Sequence, residues 1–167
     1  MRSRIAIVLA LTCSVAIGCG GDKSPTAPSS PSPTAADITA TVSPNPVIAS
    51  ACTPTTCTTG LAFSAVFNLQ ISETAGVAGN VNFVNVTMRD STTGVEIGTI
   101  NFGADEVIRR SATATNHVNA RGSLSIVDLG VNYRLSGGGR QGTLTVAVQF
   151  TDDRGNQINR VVNVPVA

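Results

Sequence analysis

Two apolar patterns divide the chain. Residues Ile5 to Ile17, IAIVLALTCSVAI, form an almost unbroken apolar run, whereas from Ile38 to Ala167 apolar and polar residues tend to alternate. The clearest alternation is Leu61 to Ile71, LAFSAVFNLQI, with Leu61, Phe63, Ala65, Phe67, Leu69 and Ile71 on one face and Ala62, Ser64, Val66, Asn68 and Gln70 on the other. A helix would scatter these apolar positions around its axis; a strand puts them all against a core. Ile38, Ala40 and Val42 predict a shorter strand, closed by Ser43-Pro44-Asn45-Pro46, where two prolines fix φ and remove ladder donors.

Val84, Val86 and Met88 continue the alternation, and Asp90-Ser91-Thr92-Thr93-Gly94 supplies turn chemistry before a return strand from Val95 to Phe102. The return arm changes phase beside Gly98, which predicts a bulge there. Leu124, Ile126, Leu129, Val131 and Tyr133 read as one long strand or two short ones, with a phase slip at Val127-Asp128. After the loop SGGGRQG, Leu144, Val146, Val148 and Phe150 alternate cleanly, Asp152-Asp153-Arg154-Gly155-Asn156 turns the chain, and Ile158, Val162, Val164 and Val166 form the last strand, with Arg160 interrupting its inward face. Only Ala104 to Arg110 offers a helical turn. About seven to eight short strands without alternating helices predict an all-β fold, an antiparallel two-sheet sandwich. The SPNP bend after the first strand and the final strand-DDRGN-strand hairpin resemble bacterial immunoglobulin-like or fibronectin III-like modules. That resemblance implies an immunoglobulin-like sandwich. The chain has no Trp, and its cysteines within the domain sit in one loop rather than bridging the sheets, which disfavours an antibody-type domain.

The apolar run at the N-terminus follows Arg2 and Arg4 and has the length of a signal-peptide core, too short to span a bilayer permanently. It ends in Ala16-Ile17-Gly18-Cys19, which resembles the lipobox of bacterial lipoproteins. The resemblance implies cleavage after Gly18, lipidation of Cys19 and attachment to a membrane, the outer one in a Gram-negative host given Gly20 after the lipidated Cys; the alternative is an ordinary secreted protein cut nearby. The 18 residues Gly20 to Asp37 hold four of the eight prolines and hardly a large apolar side chain, so they cannot offset their ordering entropy and are expected to be a disordered stalk of at most about 55 Å. The expected organisation is thus signal peptide 1–18, lipidated Cys and linker 19–37, and sandwich 38–167.

Composition narrows the function classes. Formal charge is +1, and loss of Arg2 and Arg4 with the leader changes Lys+Arg 11 against Asp+Glu 10 into 9 against 10, so no basic footprint for nucleic acid remains. Cys52 and Cys57, in ACTPTTC, are an even pair in an oxidising compartment and most simply a disulfide, with free thiols or a metal site as alternatives. His117 is the single imidazole, in a polar stretch read as an exposed loop, with no nucleophile nearby in sequence. Asp105-Glu106 and Asp152-Asp153 are neighbours in sequence, which usually diverge, and adjacency does not supply the two carboxyls facing across a cleft that glycosidase chemistry requires. Clustered oxygens in Asp152, Asp153 and Asn156 form a weak calcium candidate, opposed by Arg154. The Gly137-Gly138-Gly139 loop lacks a P-loop Lys.

Of the aromatics, Phe63, Phe67 and Phe150 fall on predicted core faces, leaving Phe83, Phe102 and Tyr133 as candidates for a sugar-stacking platform. The expectation is a non-enzymatic extracytoplasmic module without cofactor, bound to the membrane through Cys19 and holding a protein or envelope component; the alternative is a small-ligand or polysaccharide-binding lipoprotein.

Overall fold

The computed structural model describes residues 32–53, 55, 57 and 60–167. The expected signal peptide, Cys19 and most of the linker lie outside the described residues. Among them run nine strands and one helix: β1 (Ile38–Ser43), β2 (Ala49–Ala51), β3 (Phe63–Glu73), β4 (Gly79–Asp90), β5 (Glu96–Gly103), α1 (Ala104–Arg110), β6 (His117–Val118), β7 (Ser123–Tyr133), β8 (Gly142–Asp152) and β9 (Gln157–Val166). Seven are the expected long strands. The other two, β2 and β6, span three and two residues, too short for a periodicity to show.

All ladders between these strands are antiparallel, and they form two sheets. In the first, β3 pairs with β1 and β2 along one edge and with β7 along the other; in the second, the order is β5-β4-β8-β9, with β6 beside the start of β4. The fold is an all-β two-sheet sandwich. The chain crosses between sheets after β3, after β6 and after β7. The first edge strand is split at the SPNP bend, where Val47 forms a parallel bridge to Val166 and thereby ties the edge of one sheet to the end of β9 in the other.

Inward faces follow the alternation. Ala65, Phe67, Leu69 and Ile71 from β3 meet Val84, Val86 and Met88 from β4 and Leu144, Val146, Val148 and Phe150 from β8 in one core cluster. The phase slip at Val127-Asp128 is a bulge: the β3–β7 register shifts between Phe67 and Leu69, and Asp128 takes φ 55°. The change of phase near Gly98 is also a bulge, since Met88 pairs with Gly98 but Arg89 with Glu96, which leaves Ile97 unpaired. A third bulge, at Asn82, was not foreseen.

α1 forms as its residues suggest, with Asp105 and Glu106 in the first turn and Arg109 and Arg110 in the last, complementing the helix dipole, and it buries Val107.

The compact unit begins at Ser32 rather than Ile38. Composition assigned residues 32–37 to the linker because they carry little apolar surface. Hydrogen bonds hold them instead: the Ala36 amide donates to Asp152 Oδ2 at 3.0 Å and the Asp37 amide to Glu73 Oε1 at 3.2 Å. Asn156 Nδ2 donates to Thr34 O at 3.2 Å, and the Arg154 guanidinium donates to Pro33 O. Arg160, on the inward register of β9, donates through Nε to Ile38 O at 2.6 Å and pairs with Asp37 at 3.2 Å. It closes the gap between β9 and β1.

Candidate functional site

Strand register gathers the connections at two ends. One end carries the lead-in strap 32–37, the β3–β4 connection and the β8–β9 turn. Its chemistry is structural. Glu73 continues the inward face of β3 and is only 2% exposed. Its carboxylate accepts the backbone amides of Asp37 at 3.2 Å, Ala75 at 2.8 Å, Gly76 at 2.8 Å and Arg121 at 2.8 Å. Burial alone raises its pKa, but the amides of Arg121, Gly76 and Asp37 outweigh burial and the net shift is downward. This residue escaped the sequence reading; the available signal was its place two residues beyond Ile71 on the same alternation.

Asp152 is 3% exposed and organises the β8–β9 turn. Oδ1 accepts the amides of Arg154 at 3.0 Å and Asn156 at 2.8 Å, while Oδ2 accepts Asn156 Nδ2 at 2.9 Å and the Ala36 amide. Burial raises its pKa, but these donors, Asn156 foremost, bring it down to about 2. The three calcium candidates therefore do not converge as oxygen ligands: Asp152 is saturated by N–H donors, Asn156 turns its amide nitrogen to it, and Asp153 points to solvent. Among the described residues, no three of His, Cys, Asp and Glu come together.

The opposite end carries the β2–β3 loop, the β4–β5 turn and the β7–β8 loop, placed together by the pairings Ala51 with Phe63, Phe63 with Tyr133 and Asp90 with Gly142. Cys52 and Cys57 form a disulfide in the first of these loops. Asp90 is 6% exposed and its Oδ1 accepts the amides of Thr92 at 2.7 Å and Thr93 at 3.1 Å, an Asx turn that fixes the hairpin. Between this turn and the glycine loop lies an open cleft of about 330 Å³, lined by Asp90, Thr92, Leu135, Arg140, Gln141 and two glycines. Sequence reasoning saw the turn and the loop but not that they lie side by side around one cleft.

Tyr133 is not a surface platform. It is fully buried at the end of β7, its ring 5.8 Å from that of Phe63, and its hydroxyl donates to Arg140 O at 2.5 Å. Burial pushes this phenol up to about 12, with Arg140's charge pulling against it. Phe102 is also in the core, under the Arg110 guanidinium at 5.5 Å. Phe83 alone of the six aromatics lies outside the core, half-buried on the outer face of β4.

His117 is not in an exposed loop: it is half-buried in β6, and Nδ1 meets Asn80 Oδ1 at 3.2 Å. Glu106 is paired with Arg109 and Arg110, and Asp105 faces solvent. Among the described residues, the imidazole and the two carboxylate pairs thus do not gather into one cluster. No helix among the described residues is long and apolar enough to cross a membrane.

Comparison with known proteins places the fold and stops there. No protein-family profile matches the chain, and no curated protein matches it. Among solved structures, it is similar to the crystal structure of a Bordetella pertussis protein designated ApaA, at 12% identity and TM-score 0.52, covering 79% of this chain and 94% of that one. It is also similar to a second structural-genomics protein solved by X-ray crystallography, at 10% identity and TM-score 0.50, covering 78% of this chain and 86% of that one. At such identities the likeness is one of fold, the two-sheet β-sandwich.

Proposed function

We propose that this chain is a non-enzymatic, lipid-anchored extracytoplasmic module of the immunoglobulin-like or fibronectin III-like kind, tethered through Cys19 and holding a protein or envelope component. The topology supports the finer fold assignment: a sheet of β1/β2, β3 and β7 faces a sheet of β5, β4, β8 and β9, with an edge strand that pairs first with β3 and then bridges to β9. One observation carries the functional reading. The strap 32–37 is bonded to Glu73 and Asp152 at one end of the sandwich, and the disulfide loop, the Asp90 turn and the glycine loop lie at the opposite end. Loops on a rigid scaffold are where binding residues concentrate.

Metabolic labelling with a radioactive fatty acid tests the anchor. The wild type takes up label and Cys19→Ala does not; equal labelling of the two overturns the reading. Protease shaving of intact cells then assigns the side of the envelope, since digestion from outside means surface display and protection until lysis means a periplasmic accessory.

A further inference from the structure

We infer that the outer face of the four-stranded sheet β5-β4-β8-β9 is a binding surface for a neutral polysaccharide, centred on Phe83. The inference rests on the reading of the chain as an anchored binding module and names its ligand class.

The starting point is the one aromatic ring that the core leaves out. Val84, Val86 and Met88 point inward, so Phe83 points outward with Asn85 and Thr87. A Phe on the solvent face has no hydrogen-bonding tip to justify its place and costs exposed apolar area. Across the ladder it opposes Gly103 on one side and Gln149 on the other, and Gln149 in turn opposes Asn159. Gly103 has open space where a side chain would stand, so no side chain covers the sheet face at that position.

The surroundings specify the partner. Side-chain amides of Asn101, Gln149 and Asn159 lie in the ring's own row or the next, and among the described residues none of the three has a hydrogen-bond partner. The neighbouring Thr row is different, because Thr87 is bonded to Thr99 at 3.2 Å and Thr145 to Asn163 at 2.8 Å. On this face, the unbonded side-chain amides therefore lie around Phe83. Each amide offers both a donor and an acceptor, as does each sugar hydroxyl, while the C–H face of a pyranose ring stacks on an aromatic.

Charge excludes the competing classes. The outward positions, Thr143, Thr145, Ala147, Gln149 and Thr151 on β8 and Gln157, Asn159, Val161, Asn163 and Pro165 on β9, are all uncharged, and the charged outward pair, Arg89 and Glu96, neutralises itself at 3.8 Å toward the far end. A face without net charge gives an anionic polymer or a nucleic acid little to pair with. An open sheet face, unlike an enclosed pocket, suits a polymer that extends across several strands.

The test is a pull-down of the full chain in detergent on insoluble neutral polysaccharides, with cellulose, curdlan and granular starch as separate probes and alginate gel as the anionic arm. The expected result is retention on at least one neutral polymer that persists in high salt, weakened about tenfold in Phe83→Ala. Gly103→Leu, which covers the open side of the ring without touching the core, weakens it as well, and Arg140→Ala at the loop end does not. Unchanged melting temperatures for the variants show that the fold is intact. Retention on alginate alone, retention indifferent to both face variants, or none on any neutral polymer overturns the inference. In that last case fatty-acid labelling lost in Cys19→Ala still leaves the anchored module standing.

Discussion

At the scale of the residue, two buried carboxylates at one end of the sandwich hold backbone amides across its connections. Asp152 and Glu73 are buried, yet both are easier to ionise than ordinary carboxyls because N–H donors crowd their oxygens. A group whose folded pKa is lowered contributes stability above its ordinary value, and that contribution is lost as the pH falls through the folded value. For Asp152 the window runs from the ordinary 3.8 down to about 2. The expected outcome is a wild-type melting temperature that declines steeply over this window. Asp152→Asn is less stable at neutral pH and declines less on acidification. Parallel melting curves for the two proteins would rule this out. The sequence displayed Asp152 within an obvious turn motif but did not show what its oxygens bind, because the Ala36 amide that completes the set is 116 residues away.

At the scale of the element, the alternation was legible wherever a strand has one buried face. The inward sides of β3, β4, β7, β8 and β9 were readable residue by residue, and so were two of the three bulges, since a bulge shifts the phase of the pattern. What escaped were β2 and β6, whose pairing is decided by neighbours brought up from elsewhere in the chain. Glycine marks another such place. A Cβ on Gly79 would come within 2.4 Å of Thr151 O and 2.6 Å of the Asp152 Cα, so β4 starts in direct contact with the backbone of β8. Gly79→Ala is expected to cost about 1–3 kcal/mol, as overpacking does, whereas Gly103→Ala, which meets open space, changes the urea midpoint little. Equal midpoints for both variants would contradict the close approach.

At the scale of the whole molecule, the strap 32–37 makes the lead-in part of the sandwich, bridging from Glu73 in one sheet to Asp152 and Arg160 in the other. A fragment starting at Ser32 is therefore expected to melt higher than one starting at Ile38, by scanning calorimetry, although the six residues removed contribute few large apolar side chains; matching transitions would return the strap to the linker. Local order along the chain settled the period-two pattern, the turns and hence the all-β class, because each depends on residues within a few positions of one another. It also displayed the cysteine pair and raised the expectation of a leader. Tertiary structure alone decided that Phe102 and Tyr133 are core and Phe83 is not, which carboxylates are saturated by amides, and which loops share an end. Those properties depend on contacts between residues tens of positions apart, and no local pattern carries them.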